Sequence, residues 1–459
     1  MEPSATDGLP TPQRYTAIIV VGLGVTMAVL DGAIANIALP TIARELNATP
    51  AQSVWVVNAY QLIVMVSLLP LSSLGETIGY SRIYRVGLAI FGVASLVCAL
   101  SDSLTTLTLA RVLQGAGAAC LMSVNAALIR FIYPRAQLGR GIGLNAFIVA
   151  TAAAAGPTIA AGILSIASWP WIFAVNVPIS LMAFAISNSL PRTRRSPHRF
   201  DWGSAGLNAI TFALLISLID DVGYGVGNLG RVAAEAVILV VCGVWLVRRQ
   251  LSQKSPLLPI DLLRIPIFAL SICTSVLSFA GQMLAFVALP FYLQNVIGRS
   301  EVETGLLMTP WPIVIMIVAP LSGRLADRYH SGLLGAIGMA LFAGGLVALA
   351  LLPANPSSLD IIWRMMLCGA GFGLFQSPNN RTLIGSAPIE RTGGASGMLG
   401  TARLLGQTVG AALVALIFNL YAGQGTRVVL FTAAGFAVAA MLMSSMRLTG
   451  AARGNQPSQ

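Results

Sequence analysis

The stretch YTAIIVVGLGVTMAVLDGAIANIA (15–38) decides the fold class. As a helix rising 1.5 Å per residue it is long enough to cross the ~30 Å hydrocarbon layer of a bilayer. Its one charged residue is Asp31. A secretory leader has a shorter apolar core followed by a small-residue cleavage site, so this run reads as a true span.

Runs of the same kind fill the rest of the chain. They lie near 52–74, 82–101, 104–130, 138–165, 169–190, 203–221, 230–249, 266–296, 303–323, 331–352, 358–381, 393–421 and 427–446, which with the first makes fourteen. Hydrophobic residues make up 56% of the 459 and charged residues 9%, whereas a soluble domain carries about 25% charged residues. That balance excludes a soluble enzyme, a disordered chain and a disulfide-stapled domain. The five cysteines all fall in apolar runs without C-x-x-C spacing and read as packing residues. The only lysine, Lys254, follows Gln253, so there is no P-loop. No metal constellation or catalytic cluster is visible, and neither a cofactor nor enzymatic activity is expected.

The net charge of +11 has a topological reading. With the N-terminus inside, 20 of the 27 basic residues fall on the inner side and 4 on the outer side. Three lie within spans: Arg111, Arg364 and Arg403. A bias of this size sets orientation. It places both termini in the cytoplasm and removes nucleic acid as the reason for the charge.

Three segments recur at a nearly fixed offset. SSLGETIG (72–79) corresponds to GRLADRYH (323–330), ARVLQGAGAA (110–119) to WRMMLCGAGFG (363–373), and GPTIAAG (156–162) to GQTVGAA (406–412). The offset predicts a six-span unit used twice, with two extra spans between the copies. The expected organisation is a cytoplasmic tail (1–14), a first bundle (15–190), linkers with two inserted helices (191–265), a second bundle (266–447) and a second tail (448–459). Arg364 is expected at the repeat position of Arg111. Paired bundles of this kind place a substrate site at their interface and work by rocking.

With these motifs in order, the chain resembles the major facilitator superfamily and, within it, the fourteen-span drug:proton antiporters. LDGAIANIALP (30–40), WVVNAYQL (55–62), GETIGYSR (75–82), LARVLQGAGAA (109–119), AAGPTIAAG (154–162), FDWGSAG (200–206), YLQNVIGRSEVETGLLMTP (292–310) and GRLADR (323–328) carry the likeness. It implies an all-α membrane fold of two pseudo-symmetric six-helix bundles. It also implies a monomer in the cytoplasmic (inner) membrane that exchanges protons for amphipathic compounds. Those would be dyes or quaternary ammonium antiseptics, in contact with membrane lipid. An exporter of an endogenous lipid, siderophore or metabolite is the alternative.

Asp31 is the expected proton-coupling carboxylate, because an acid inside a membrane span is costly and usually functional; a structural ion pair is the plainer reading. Arg111, at similar depth, is its expected partner, with Gln114 one turn on. Gly156 and Pro157 match the antiporter motif, which the resemblance links to sealing the cavity against protons. Glu76, Arg82, Asp327 and Arg328 resemble gating-loop charges that latch the halves in the outward-open state. Trp55, Asn58, Tyr60, Gln61, Asn145, Gln282, Tyr292, Trp311, Asn379 and Arg403 are candidates for the cavity wall, with a packing or gating role as the plainer reading of Arg403. Aromatic faces there would favour monocations. Exchange of one proton for one monocation moves no net charge, so transport would follow the pH gradient more than the voltage.

Overall fold

The computed structural model describes residues 8–191, 193, 200–223, 229–253, 258–388, 391–421 and 425–454. The described residues form fourteen apolar helices. In chain order they are α1 (Thr11–Glu45), α2 (Pro50–Ile78), α3 (Tyr80–Ala99), α4 (Leu104–Ile132), α5 (Leu138–Ile166), α6 (Pro170–Ala185) and α7 (Trp202–Gly223). They continue as α8 (Leu229–Ser252), α9 (Pro266–Val296), α10 (Glu301–Leu325), α11 (Ser331–Ala350), α12 (Ser358–Ser386), α13 (Thr392–Leu420) and α14 (Gly425–Gly454). Thirteen are long and apolar enough to span a bilayer, and α6 is the shorter one. The basic loop residues Arg192, Arg194, Arg195, Arg199 and Lys254 lie outside the described residues.

Several helices outrun the apolar stretches that reveal them. α1 continues through Pro40 to Glu45, 35 residues in all, or ~52 Å. Asp31 is therefore ~21 Å from the outer end of its helix, not the ~13 Å that the apolar run alone suggests.

The duplication is visible in the packing. In the first half α3 packs on α4, α2 on α4, α1 on α5 and α3 on α6. In the second, α11 packs on α12, α10 on α12, α9 on α13 and α11 on α14. Glycines permit the closest of these approaches, and they too recur. Gly115 faces the Tyr60 carbonyl as Gly369 faces that of Trp311, and Gly117 faces the Phe91 backbone as Gly371 faces that of Phe342. Small residues let helix backbones approach in lipid, where dispersion replaces the hydrophobic effect.

These contacts correct the sequence alignment of the repeats by one residue. With Gly115 matched to Gly369, Arg111 corresponds to Met365, which is fully buried. Arg364 lies ~100° around the helix. It pairs with Asp360 at 3.0 Å, reaches the Ala348 carbonyl and lies over the Trp363 ring.

The inserted pair covers a seam. α7 packs on both α2 and α13, one helix from each half, and Asn208 Nδ2 donates to the Val66 carbonyl at 3.0 Å. At the inner end of α7, Asp201 accepts from Arg249 of α8 at 2.8 Å and from the Ser204 hydroxyl at 2.6 Å. Burial pushes the Asp201 carboxyl up, but hydrogen bonds from Arg249, Ser204 and Gln253 outweigh this and hold it well below the usual carboxylate range. The tie is present at neutral pH and is lost as pH falls through that lowered value.

Four hydrogen bonds join the two halves among the described residues, all towards the outer side. Glu301 accepts from Thr41 at 2.5 Å and from Arg44 at 3.0 Å, Gln294 donates to the Ile37 carbonyl at 3.0 Å, and Thr158 meets Thr309 at 2.8 Å. Towards the other end of α5 none of residues 142–151 is buried, whereas Ala152, Ala154, Gly156, Pro157, Ala160 and Ala161 are, while Gly397 and Gly400 of α13 stay in contact with Leu69 and Leu68 of α2.

The glycine packing makes a prediction. Gly371→Ala places a methyl against the backbones of Gly338 and Phe342 and should lower stability by about 1–3 kcal/mol. Gly344→Ala meets open space on an exposed face and should be neutral or slightly stabilising. Thermal unfolding of both variants in one detergent checks the contrast.

Candidate functional site

The site is built from five helices of the first half, α2 supplying the Val56 carbonyl and the Tyr60 ring. α1 supplies Asp31. α4 supplies Arg111 and Gln114, three residues apart and so on one helix face. α3 supplies Ser95 and Cys98 in its last turns. α6 supplies Asn176 immediately after the break in that helix at Val175. Asp31, Arg111, Gln114, Ser95 and Asn176 are each at most 1% exposed.

Arg111 and Asp31 form a direct ion pair through Nη1 and Oδ2. The other carboxylate oxygen accepts from Gln114 Nε2 at 2.9 Å and from Asn176 Nδ2 at 3.1 Å. Arg111 Nε donates to the Val56 carbonyl at 2.8 Å, and Nη1 also donates to Gln114 Oε1 at 2.5 Å. Gln114 Nε2 reaches Ser95 Oγ at 2.9 Å, and the Cys98 thiol lies 3.6 Å from Gln114 Oε1. The guanidinium sits 4.2 Å from the centre of the Tyr60 ring and 5.5 Å from that of Phe173. The Tyr60 hydroxyl donates to the Ala28 carbonyl at 3.0 Å.

An ionised carboxylate only accepts, and here every neighbour donates to it. The arrangement therefore fits ionised Asp31. A proton arriving there would cancel the charge that holds Arg111 and would put a donor among donors. Of these groups, Asn176, Ser95 and Cys98 are absent from the sequence-derived candidates. The available signal is Asn176, the amide in the middle of the apolar run 169–190, whose other amide, Asn188, lies at its end.

The expected cavity wall is largely not a wall in this state. Asn58, Tyr60, Gln61, Tyr292, Trp311 and Asn379 are all buried within their helix packing. Trp311 stacks on Phe286 and Phe342 at ring distances of 4.9 and 5.6 Å. Asn379 is held by Ser275 and Arg447, both at 2.7 Å. Trp55 lies at the outer mouth of the first half, lining a cavity of about 450 Å³ with Gln52, Thr105 and Thr108. Rings and amides in mid-helix bury where they find packing or hydrogen-bond partners, which composition cannot locate. Only Asn145, Gln282 and Arg403 remain partly exposed within their spans, and Asn145 accepts from Asn125 at 3.0 Å.

Gly156 is where α5 meets α1, its missing side chain filled by Ala33, and the Pro157 carbonyl stands against Gly305 of α10. The gating-loop residues Glu76, Arg82, Asp327 and Arg328 are exposed. Among the described residues they form no bond between the halves, and Asp327 pairs with Arg381 of its own half.

A two-fold-repeated bundle with one buried charge pair on one side invites comparison with known transporters. The sequence model of the Major Facilitator Superfamily matches residues 21–411. The chain belongs to the Major Facilitator Superfamily. It is 62% identical over 446 residues to the uncharacterized transporter YebQ of Escherichia coli (strain K12), covering 96% of this chain and 97% of that one. It is 31% identical over 436 residues to the tetracenomycin C resistance and export protein of Streptomyces glaucescens, covering 92% and 80%. Among solved structures, a bacterial homolog of the human lysosomal transporter Spinster, inward-facing and unoccupied, matches with a TM-score of 0.70 at 14% identity, covering 95% and 97%. This facilitator is thus a multi-pass membrane transporter and not an enzyme.

The enclosed pair makes a second prediction. Arg111→Met leaves Asp31 buried and uncompensated, which should destabilise the protein by about 3–5 kcal/mol. Asp31→Asn combined with Arg111→Met removes both charges and should recover much of that loss. A double-mutant cycle read by thermal unfolding checks the coupling.

Proposed function

We propose that this transporter is a proton-coupled exporter of amphipathic organic compounds, of the multidrug type, acting as a monomer in the cytoplasmic membrane. One observation carries the reading: among the described residues, a single carboxylate is buried deep in the membrane domain, and its hydrogen bonds span α1, α4 and α6. Protonation of Asp31 frees Arg111 and loosens the grip of α4 and α6 on α1. Re-ionisation restores it. Because Gly156 of α5 packs on Ala33, two residues from Asp31, the change is delivered to the helix that meets the second half at α10. The export named for the Streptomyces relative supports the direction of transport.

Cationic cargo, expected from the aromatic content, finds little to hold it. Asp31 is already neutralised by Arg111, and the other acids of the described spans that meet a cation also pair with arginine: Glu235 and Asp221 with Arg231, Glu301 with Arg44, Glu303 with Arg299, and Asp360 with Arg364. Ring faces alone would have to serve.

The proton role has a direct check in proteoliposomes. Asp31→Asn should abolish transport driven by a pH gradient, a loss of at least ~100-fold, while leaving the protein folded. Unchanged pH-driven export by that variant would exclude Asp31 as the coupling group.

A further inference from the structure

Arg403 is the one arginine in the middle of a span, among the described residues, that no acid answers. It lies on α13, ten residues from the expected inner start of its span and so ~15 Å deep. No described residue forms an ion pair or hydrogen bond with it, and its Nε is buried without a partner. Its side chain is nevertheless partly exposed, although both neighbours, Ala402 and Leu404, are buried. Arg111, by contrast, is fully enclosed and paired.

The direction in which Arg403 looks follows from the glycines of α13. Gly406 and Gly410 meet Val276, Phe279, Ala280 and Met283 of α9, in the same half. Gly397 and Gly400 meet Leu69 and Leu68 of α2, in the other half. Position 403 is three residues from Gly400 and three from Gly406, and each such step turns the helix surface by ~60°. Arg403 therefore lies between the two contact faces, in the wedge where the halves separate. The opposite face of α13 carries Met398 and Leu405, which pack with residues of α7 and α2. Gln407, one turn further out on the wedge side, is also partly exposed.

An unanswered cation at this depth is costly to keep in a membrane protein, and such residues mark substrate or ion pathways. With the Asp31–Arg111 pair neutral overall, the residual charge facing the wedge is positive. Guanidinium is a planar fork that grips a carboxylate or sulfonate through two parallel hydrogen bonds. We propose that Arg403 anchors an acidic group of the cargo, so that the central site takes amphipathic monoanions, with Gln407 as a second donor. This rests on the export reading above and sharpens it. It also reverses the expected energetics. Exchanging an incoming proton for an outgoing monoanion moves two charges per cycle in the direction the membrane potential favours, whereas a monocation would move none.

The test uses the full chain in proteoliposomes and in detergent, with 2-naphthoate as an aromatic monoanion and ethidium as an aromatic monocation. Wild type should bind naphthoate, and its export should accelerate at zero pH gradient when the cytoplasmic side is made negative. Arg403→Gln should weaken naphthoate binding at least tenfold, and Arg403→Lys should regain part of it. If Arg403→Gln does not fold, the voltage response of the wild type decides. Absence of naphthoate binding, equal binding by folded Arg403→Gln, or indifference to voltage would overturn the assignment. If ethidium is instead exported under a pH gradient and Asp31→Asn stops it, proton-coupled export stands and the anion assignment falls. If Asp31→Asn leaves pH-driven transport of either probe intact, the export reading itself fails.

Discussion

The Asp31–Arg111 pair is the interaction on which the rest of the first half depends. Taking two charges out of water is repaid only when both are paired and hydrogen-bonded. Here the surrounding helices supply most of those bonds, with Val56 of α2, Gln114 of α4 and Asn176 of α6 each contributing one, while Arg111 Nη2 has no hydrogen-bond partner among the described residues. Tyr60 and Phe173 close the ring faces around the guanidinium. On the proposed reading the same enclosure gives a single proton leverage, because two helices, α4 and α6, are held to α1 through one carboxylate.

The second half shows what the fold looks like without that constraint. At the repeat positions of Arg111 and Tyr60 stand Met365 and Trp311, both fully buried. Phe279, Phe286, Phe342, Phe372 and Phe375 join Trp311 in a chain of edge-to-face and tilted contacts. Backbone approach is kept, glycine for glycine, while the polar core is replaced by rings. Such rings interlock without any titratable group.

Much of this was legible in the sequence and some was not, for identifiable reasons. The spans follow from hydropathy, because lipid enforces it, and the duplication follows from the recurring motifs. Asp31 and Arg111 stood out because charges inside apolar runs are rare. The true length of α1 was hidden, because polar residues such as Thr41 and Arg44 continue a helix beyond the bilayer without an apolar signature. The register of Arg364 is misleading because the two arginines match at an offset of 253, whereas the glycines Gly115 and Gly117 match Gly369 and Gly371 at 254, a one-residue difference that turns a side chain by ~100°. The cavity wall was the least legible part. Trp311 and Asn379 are polar or aromatic enough to suggest ligand contact, yet packing partners from distant spans claim them, and nothing local in the sequence names those partners.

The placement of the two unusual groups in different halves bears on mechanism. Asp31 is enclosed in the first bundle and Arg403 lies on the second, so on the proposed reading proton and cargo need not compete for one residue, and their coupling would pass through relative motion of the halves. The polar contacts between the halves are few: Thr41 and Arg44 with Glu301, Gln294 with the Ile37 carbonyl, and Thr158 with Thr309. Of these only Arg44–Glu301 is an ion pair, and an exposed pair contributes little, about 0–1 kcal/mol. The remainder of the seam is apolar helix packing, which two-state rocking of paired bundles can exchange for an alternative arrangement.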